Sequence, residues 1–485
     1  MNRRVGLKIG LVLACAAGFL AGQARAPQPT ADHLPPPGLG SQNFSQIVPR
    51  PANVDLRVPP GFTVSLYAED VPGVRFMQFA PNGDLFVSQF NQSRITVLRD
   101  TNGDGKPDMR SIFAENVNAM RRGPPPPGGP PNGFPPGPPP QNPLTPVNTA
   151  AAAVPCAPPG STTGAPPQGQ PMPQRGAEPA PAGIQGPMGI AFRRGFVYIA
   201  NTGSIVRYRY NPGDMESQRA PQKVVDLPPF GFHPWRNVVF NAAENKMYVA
   251  VGSGSNNRAG EDCRRAAILE FNPDGTGYRI FASGLRNPEG MAFEPVTNKL
   301  WVAVNERDYL GDELVPDFVT GLKDGGFYGW PYSYIGQHYD PRYAGGQPDL
   351  VKRTIVPDVL IPAHSTPLGI AFYTGEQFPQ RFRNGMFVAM HGSWNRAKAT
   401  GYKVGFIRFR DGMPGRLEDF MTGFVIAEGG RNTDGSLSPI TQWGRPVGVT
   451  VAPDGSLLVS DDQGGRIWQI KYRGPNPPAT PNPQR

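Results

Sequence analysis

The chain has 485 residues, and its 47 lysines and arginines outnumber its 38 aspartates and glutamates, which gives a formal net charge of +9. The basic residues are scattered singly, without a basic run or a helical stripe, and this argues against a nucleic-acid partner. The three cysteines form no CxxC or CxxCH motif, which excludes covalently attached haem and a cysteine-rich zinc site.

The first residues have the pattern of a secretory signal peptide. Basic residues precede the apolar stretch Ile9–Leu20, and Ala24–Ala26 supplies a small-x-small cleavage site. Because the apolar stretch is too short to span a bilayer, residues 1–26 predict export to the periplasm or beyond, without a transmembrane anchor. A lipidated Cys15 is the alternative, but it would leave a shorter apolar core than signal peptides normally have.

Glycine and proline number 60 each, and their excess is concentrated in three segments. These are the leader 27–49, the insertion 123–181 and the tail 474–485. Such segments lack the apolar residues that a core needs, so we expect them to be loose or polyproline-like. The insertion separates the first two copies of a repeat, and we interpret it as a disordered loop insertion rather than a domain linker.

A short phrase recurs six times between residues 50 and 473, namely an apolar strand, a polar turn and a second apolar strand. The copies begin at Phe76, Gly189, Asn237, Gly290, Gly369 and Gly448. Apolar runs rich in Val, Phe and Ile around a Pro, Asn, Asp or Gly turn predict β-hairpins. Strand-only repeats of this length are typical of propeller blades. The predicted fold is therefore all-β, a six-bladed β-propeller over residues 50–473, in which the first and last strands share a blade.

Candidate catalytic residues lie where these hairpins begin. His233 directly precedes the inner strand of the third predicted blade, and an imidazole with a near-neutral pKa is a natural base for a hydroxyl proton. Arg286 and Asn287, in GLRNPEGMAF, precede the fourth blade and offer a charged fork and an amide to a carboxylate or quinone oxygen. The structural alternatives are a core histidine, a solvated arginine and a loop-capping asparagine.

Two acidic segments suggest cation binding. The fourth hairpin ends in VNERDYLGDELVPD, where hard oxygen donors of the kind that calcium prefers lie close together: Asn305, Glu306, Asp308, Asp312 and Glu313. A second segment, DTNGDGKPD, follows the spacing of an EF-hand-like loop with Asp100, Asn102, Asp104 and Asp108. Its twelfth position is Ser111 instead of glutamate, so a calcium-stapled hairpin and a plain turn both fit this second segment.

GLRNPEGMAF, the acidic loop after it, GGFYGWP and AFYTGEQFP together resemble the soluble quinoprotein sugar dehydrogenases of the glucose/sorbosone dehydrogenase family. The likeness is strongest to the branch called L-sorbosone dehydrogenase, and it covers nearly all of Pro59–Tyr472 outside the insertion. The resemblance implies a six-bladed propeller that holds pyrroloquinoline quinone (PQQ) on its axis with calcium beneath it. The implied reaction moves a hydride from a sugar or sugar aldehyde to the quinone.

The resemblance also implies roles for individual residues. His233 matches the catalytic base, and Arg286 matches the arginine that polarises the reacting quinone carbonyl. Asn287 lies beside it at the cofactor, and Arg445 matches one of two cofactor arginines near the last blade. Gln185 matches a glutamine near the base, although its spacing differs by one residue.

For calcium, the resemblance implies a side-chain ligand at Glu306, where the family has a glutamine. The backbone carbonyls of Arg307 and Asp308 would complete the protein ligands. Arg307 replaces a family glycine and places a bulky cation beside the implied metal.

Two further departures concern the implied cofactor carboxylates. Val447 replaces the second cofactor arginine. His391 replaces a lysine, and a histidine offers the cofactor only a weaker, pH-dependent charge. Arg396 or Lys403 is a candidate to compensate. These departures leave the preferred sugar open and also admit a relative without dehydrogenase activity.

The sequence favours an exported PQQ-dependent sugar dehydrogenase with a small-molecule sugar and an electron acceptor as partners. Two other functions remain open, a calcium-dependent propeller lactonase or similar hydrolase and a non-catalytic binding propeller. Cationic Arg286 and Arg445 suit a quinone with three carboxylates and favour the dehydrogenase. Neither the acceptor nor the oligomeric state is defined by the sequence.

Overall fold

The computed structural model describes residues 28–116, 183–229 and 231–475. In these ranges the chain forms 30 β-strands and very little helix, which confirms the predicted all-β class. The helical elements are the α-helix Pro348–Val351 and the 3-10 helices Pro341–Tyr343 and Gln380–Phe382. Among the described residues, none of the helices has the length and apolar character needed to cross a membrane.

Several predictions fall outside the described residues. They concern the signal peptide 1–26, the insertion 123–181 and most of the tail 474–485, and they remain predictions. Cys263 lies within the described residues and is disulfide-bonded. The other two cysteines, Cys15 and Cys156, lie outside the described ranges.

Six sheets share one plan, in which consecutive strands run antiparallel. We number the strands in chain order. The first three sheets contain β3 (Val74–Phe79), β4 (Leu85–Gln89), β5 (Arg94–Arg99) and β6 (Met109–Glu115) in sheet 1; β7 (Ile190–Arg193), β8 (Phe196–Ala200), β9 (Ser204–Arg209) and β10 (Gln222–Asp226) in sheet 2; and β11 (Arg236–Phe240), β12 (Met247–Val251), β13 (Ala267–Phe271) and β14 (Arg279–Ser283), with the parallel β18 (Gly326–Phe327), in sheet 3.

The other three sheets follow the same plan. They contain β15 (Asn287–Phe293), β16 (Leu300–Asn305), β17 (Asp317–Gly321) and β21 (Val359–Ile361) in sheet 4; β22 (Pro367–Phe372), β23 (Met386–Met390), β24 (Lys403–Arg410) and β25 (Met413–Met421) in sheet 5; and β28 (Pro446–Val451), β29 (Leu457–Asp461) and β30 (Arg466–Tyr472), with β2 (Phe62–Ala68), in sheet 6. Two smaller sheets contain β1 (Gln46–Ile47), β26 (Val425–Arg431) and β27 (Leu437–Gln442), and β19 (Ser333–Tyr334) and β20 (His338–Tyr339).

The six sheets close into a ring. The first strand of each sheet contacts the first strand of the next, and β28 of sheet 6 contacts β3 of sheet 1. Sheet 6 joins the two ends of the described chain, because β2 pairs antiparallel with β30 and places Phe62 opposite Tyr472. Such a ring brings one loop from every sheet to a common axis.

The apolar core lies between neighbouring sheets. Side chains alternate between the two faces of a strand, so Phe86 on β4 packs toward sheet 2 whereas Leu85 and Val87 pack toward sheet 6. Corresponding clusters fill the other interfaces around the ring. Five of the six second strands, such as MYVAV at Met247–Val251, are therefore buried along their whole length, and β8 is buried after Phe196.

The prediction that the leader is loose is wrong for its described residues, 28–49. The Ser41 backbone N–H and Oγ donate to the Asp312 carboxylate, at 2.6 and 3.1 Å. Asn43 donates to the carbonyls of Ala397 and Ser438, both at 2.8 Å. The leader also contributes β1, which pairs parallel with β27. A proline-rich segment can thus be held by side-chain hydrogen bonds to distant loops.

Candidate functional site

The predicted catalytic and cofactor residues and Glu306 lie at one edge of the ring, which we call the site edge, whereas the turn with Asp100 and Asp108 joins β5 to β6 at the opposite edge. First and second strands are antiparallel, so the start of one lies beside the end of the other, as in the register pairs Asn287 with Asn305 and Pro446 with Asp461. His233, Arg286 and Arg445 lie at or just before the first strands of sheets 3, 4 and 6, and Gln185 precedes that of sheet 2. Glu306 and His391 directly follow the second strands of sheets 4 and 5.

His233 is buried, with 5% of its surface exposed. Its Nδ1 lies 3.1 Å from the Ser253 carbonyl oxygen and 2.9 Å from Ser253 Oγ. Because a carbonyl can only accept, this contact places the proton on Nδ1 and leaves the Nε2 lone pair for a substrate hydroxyl. Ser253 Oγ in turn donates to the Ser255 carbonyl at 2.6 Å. Sequence analysis did not identify Ser253, which orients the proposed base.

Burial lowers the pKa of His233 well below its usual value, and the nearby Arg286 cation lowers that pKa further. The hydrogen bond to Ser253 opposes this shift but does not reverse it. The imidazole is therefore neutral at neutral pH, which is the protonation state that a general base requires.

Arg286 is a fixed cation at this edge. Its Nε donates to the Asn256 carbonyl at 3.1 Å, and Nη1 donates to the Glu306 carbonyl at 2.6 Å. Its Nη2 donates to Asn256 Oδ1 at 2.7 Å and to the Asp308 carboxylate at 2.8 Å. Because protein acceptors engage all three nitrogens, Arg286 acts on the site through its charge in this arrangement.

His364, which sequence analysis did not single out, supports this cation from the other side of Asp308. Its Nδ1 lies 3.7 Å from Asp308 Oδ1, and its Nε2 lies 2.9 Å from the Gly311 carbonyl oxygen. Burial raises the pKa of Asp308, but Arg286 and then His364 outweigh burial and lower it below its usual value. Asp308 thus remains ionised and holds Arg286 in place.

Asn287 lies close to His233. Its Nδ2 donates to Glu289 Oε1 at 2.9 Å, while its Oδ1 is buried without a hydrogen-bond partner among the described residues. A Cβ atom at Gly252 would lie 2.4 Å from Asn287 Oδ1 and 2.6 Å from the His233 Cβ. Only glycine at position 252 allows these two side chains to approach each other.

Gln185 lies at the site edge with an exposed side chain. Its backbone N–H donates to Asn201 Oδ1 at 3.0 Å. Its side chain is exposed and makes no hydrogen bond to the described residues. No hydrogen bond links the Gln185 side chain to His233, and its place near the proposed base stays a prediction.

A second group of charges joins sheets 1, 5 and 6. His391 Nε2 lies 2.9 Å from Asp462 Oδ1, and Arg75 Nη1 donates to Asp462 Oδ2 at 2.8 Å. Arg445 donates from Nε to the His391 carbonyl at 2.8 Å and from Nη2 to the Gly392 carbonyl at 2.6 Å. Sequence analysis identified His391 and Arg445 but missed Arg75 and Asp462.

The prediction that His391 contributes a positive charge needs correction. Burial, followed by the Arg445 cation, lowers the pKa of His391 to about 4, so the ring is neutral at neutral pH. The two residues expected to compensate are paired elsewhere, since Arg396 bonds to Glu313 and Lys403 lies 2.7 Å from Asp419. The positive charge of this group comes from its arginines.

Five buried guanidinium nitrogens have no hydrogen-bond partner among the described residues: Arg75 Nε, Arg236 Nε, Arg342 Nε, Arg396 Nη1 and Arg445 Nη1. Those of Arg75, Arg236 and Arg445 belong to arginines that are themselves buried and lie at or beside first-strand starts at the site edge. A buried donor without an acceptor is costly, so such groups point to a ligand or water. Burial also lowers the pKa of Arg236 to about 9, the direction expected for a buried cation without a carboxylate partner. These donors fit the carboxylates of a polyanionic ligand such as PQQ.

The sequence carried a signal for the missed arginines. Arg75, Arg236, Arg286 and Arg445 all stand at or next to the start of a first strand, in four of the six repeats. Comparing the repeats position by position would have identified Arg75 and Arg236 together with the two predicted arginines.

The predicted calcium ligands are partly engaged by other groups of the protein. Of the two backbone carbonyls predicted as ligands, that of Asp308 accepts from Asn256 Nδ2 at 3.2 Å. Glu306 Oε2 accepts from Arg307 Nε at 3.0 Å, which leaves Oε1 as the buried oxygen of this carboxylate without a partner. A guanidinium therefore already neutralises the carboxylate that the resemblance assigns to calcium.

The second predicted calcium site forms a turn stabilised by its own side chains. Asp100 accepts from the backbone N–H groups of Gly103 and Gly105, both at 2.7 Å, and Asp108 accepts from Thr101. Across the described ranges no group of three His, Cys, Asp or Glu side chains is placed to hold a metal ion. The plain-turn alternative fits this segment better.

Comparisons with known proteins agree with this architecture. Residues 230–393 match the family described as Glucose / Sorbosone dehydrogenase, and residues 350–473 match a family described as TrAA12-like. An uncharacterized protein of Borreliella burgdorferi is 31% identical over 246 residues, which cover 50% of this chain and 61% of that protein. The aldose sugar dehydrogenase YliI of Escherichia coli is 26% identical over 166 residues, 31% of this chain and 43% of that protein. The chain thus spans less than two thirds of the length of these relatives.

Two solved structures show the shared fold. The holo form of the pyranose dehydrogenase PQQ domain from Coprinopsis cinerea matches with a TM-score of 0.59 and 18% identity, covering 87% of this chain and 98% of that one. The calcium structure of a Trichoderma reesei family AA12 enzyme matches with a TM-score of 0.61 and 16% identity, covering 86% and 97%. The predicted resemblance to the glucose/sorbosone dehydrogenase family is confirmed, with residues 230–393 carrying its sequence pattern, whereas the L-sorbosone dehydrogenase branch stays a prediction.

Proposed function

We propose that this chain is an exported quinoprotein oxidoreductase that oxidises a sugar or sugar aldehyde by hydride transfer to PQQ held at the site edge. In this proposal the six sheets are the blades of a six-bladed propeller. The observation that carries it is the set of unpartnered guanidinium N–H groups at the same edge as the neutral His233. The family match and the PQQ-containing structural neighbours support the choice of cofactor.

Arg75, Arg236 and Arg445 would hold the cofactor carboxylates, since charge-assisted hydrogen bonds to carboxylate are the strong ones and these donors are already buried. When bound, PQQ supplies an electrophilic quinone that accepts a hydride. The positions of the arginines in three different sheets would fix the orientation of a flat ligand across the ring.

His233 would remove the substrate hydroxyl proton at Nε2. Ser253 holds the ring through Nδ1, so the proton arrives at the one nitrogen that has a free lone pair. Arg286 carries a permanent charge in a buried setting, and it would stabilise negative charge that develops on a reacting oxygen. Asp308 keeps that charge in place.

The other two functions have less support from the site. A lactonase or similar hydrolase would need a group of carboxylates around a metal and a water, and the described residues contain no such group. A non-catalytic binding protein would not need a buried neutral histidine beside a fixed cation.

The experiment is reconstitution of the purified chain with PQQ, followed by quinone absorbance and by dye reduction with a panel of aldoses and sorbosone. We expect saturable quinone binding and substrate-dependent reduction. His233→Ala should lower kcat by roughly 10²- to 10⁴-fold, the usual contribution of a general base, while quinone binding is retained. The matched control is His338→Ala, because His338 is exposed and bonds the Ala31 carbonyl.

Two outcomes would contradict the proposal. Failure of the wild-type chain to bind PQQ both without and with added calcium would remove the dehydrogenase function. Loss of fold in His233→Ala, with no separate effect on turnover, would make His233 a structural residue.

A further inference from the structure

Arg307 occupies a pocket made of oxygen atoms beside the predicted calcium ligand. Its side chain and those of Glu306 and Asp340 are all 0% exposed. The guanidinium donates to Glu306 Oε2 at 3.0 Å and to Asp340 Oδ2 at 3.1 Å. It also donates to the carbonyls of Pro331 and Ser333, at 3.0 and 2.7 Å. Two carboxylates and two carbonyls thus surround one fixed cation.

These acceptors are hard oxygen donors, the class that calcium takes from proteins. In this pocket they meet a planar cation with several N–H donors, and each of the three guanidinium nitrogens has an acceptor. The guanidinium charge is delocalised and persists at all ordinary pH values. A divalent ion at Glu306 would lie close to this like charge in a buried setting, where repulsion is weakly screened.

The Asp340 carboxylate has further donors besides Arg307. Asp340 Oδ2 also accepts from Asn257 Nδ2 at 2.6 Å, and Asp340 Oδ1 accepts from the Arg342 N–H at 3.0 Å. The Tyr334 ring lies under the guanidinium, with 5.5 Å between the Arg307 Cζ and the ring centroid. The pocket is therefore packed and hydrogen-bonded around a side chain of the protein itself.

We propose that the Arg307 guanidinium is the resident cation of this pocket and takes the place of the calcium ion that the family resemblance implies at Glu306. The site edge then needs no calcium, and a chelator cannot remove the cation because it is covalently part of the chain. The inference concerns Glu306, Arg307 and Asp340 themselves, so it stands apart from whether the chain oxidises sugars.

The first test measures calcium binding without any quinone. The full chain carries Asp100→Asn and Asp104→Asn, so that the exposed acidic turn contributes no binding. After treatment with a chelator, it is dialysed against calcium and its metal content and Tm are measured. We expect no retained calcium and no shift in Tm. One equivalent of calcium that is lost on adding Glu306→Gln would overturn the proposal.

The second test titrates wild-type chain with PQQ, once with a chelator and once with added calcium. We expect the same affinity in both, whereas binding that vanishes with chelator and returns with calcium would overturn the inference. If PQQ does not bind under either condition, the proposed function fails, and the calcium measurement still decides the role of Arg307.

Discussion

The buried arginines of the site edge fall into two groups. Arg286 and Arg307, which flank sheet 4, have an acceptor for every guanidinium nitrogen. Arg75, Arg236 and Arg445, in sheets 1, 3 and 6, each keep one buried N–H without a partner among the described residues. The first group completes the structure of its loops, and the second group has hydrogen-bonding capacity left for a ligand. Burial and charge alone do not distinguish the two groups, but the unused donors do.

The largest difference between the groups should appear in stability. Arg307→Met would leave the Glu306 and Asp340 carboxylates buried without their cation, which typically costs about 3–5 kcal/mol. Arg445→Met removes the donor from the His391 and Gly392 carbonyls and leaves no carboxylate without its cation. The loss in free energy of unfolding should therefore be clearly smaller than for Arg307→Met. Chemical denaturation of both variants measures this, with Arg408→Met on an exposed position of β24 as the control. Equal losses in free energy of unfolding for Arg307→Met and Arg445→Met would contradict the division of the arginines into two groups.

A second difference should appear in cofactor affinity. Arg445→Met removes an unpartnered donor and should weaken PQQ binding by about 1.5–3 kcal/mol, the range for a hydrogen bond to a charged group. That energy corresponds to roughly a 10- to 150-fold rise in Kd. Absorbance titration of Arg445→Met against Arg408→Met measures it. An unchanged Kd would show that the spare N–H of Arg445 does not contact the quinone.

The third difference concerns the pH dependence of stability in the group around Arg445. Burial holds the pKa of His391 at about 4, whereas the unfolded chain binds the proton near its ordinary value. Between these values the unfolded state binds more protons, so stability falls as the pH is lowered below about 6.5, by up to about 1.4 kcal/mol per pH unit. His391→Gln keeps a donor for Asp462 and should remove this contribution. Denaturation at several pH values compares it with His338→Gln, and parallel pH curves for wild type and His391→Gln would contradict the assignment.

The sequence predicted the elements of the fold because hairpins are local. Each copy of the hairpin spans 13 to 25 residues, and the six copies correspond to the first two strands of the six sheets. The same patterns placed His233, Arg286 and Arg445 at strand starts. Local patterns carry no such information for the leader, whose Ser41 bonds Asp312 across 271 residues of sequence.

The hydrogen-bond and ion-pair partners of the site residues could not be predicted from the sequence either. Nothing near His391 in the sequence indicates Asp462, which follows β29, or Arg75 at the start of β3. The sequence showed Arg307 beside Glu306, but only the folded chain shows that Asp340 and two carbonyls surround the same guanidinium. Residue types at strand ends were therefore predictable, whereas the pairing that decides which charges remain available was not.

The most direct test of the account is a calorimetric titration of the wild-type apo chain with PQQ at increasing salt. Binding through the unpartnered guanidinium groups predicts saturable one-to-one binding that weakens as salt screens the charges. A neutral quinone without carboxylates should bind far more weakly. No saturable binding of PQQ, or equal affinity for the neutral quinone, would contradict the claim that these arginines form the cofactor site.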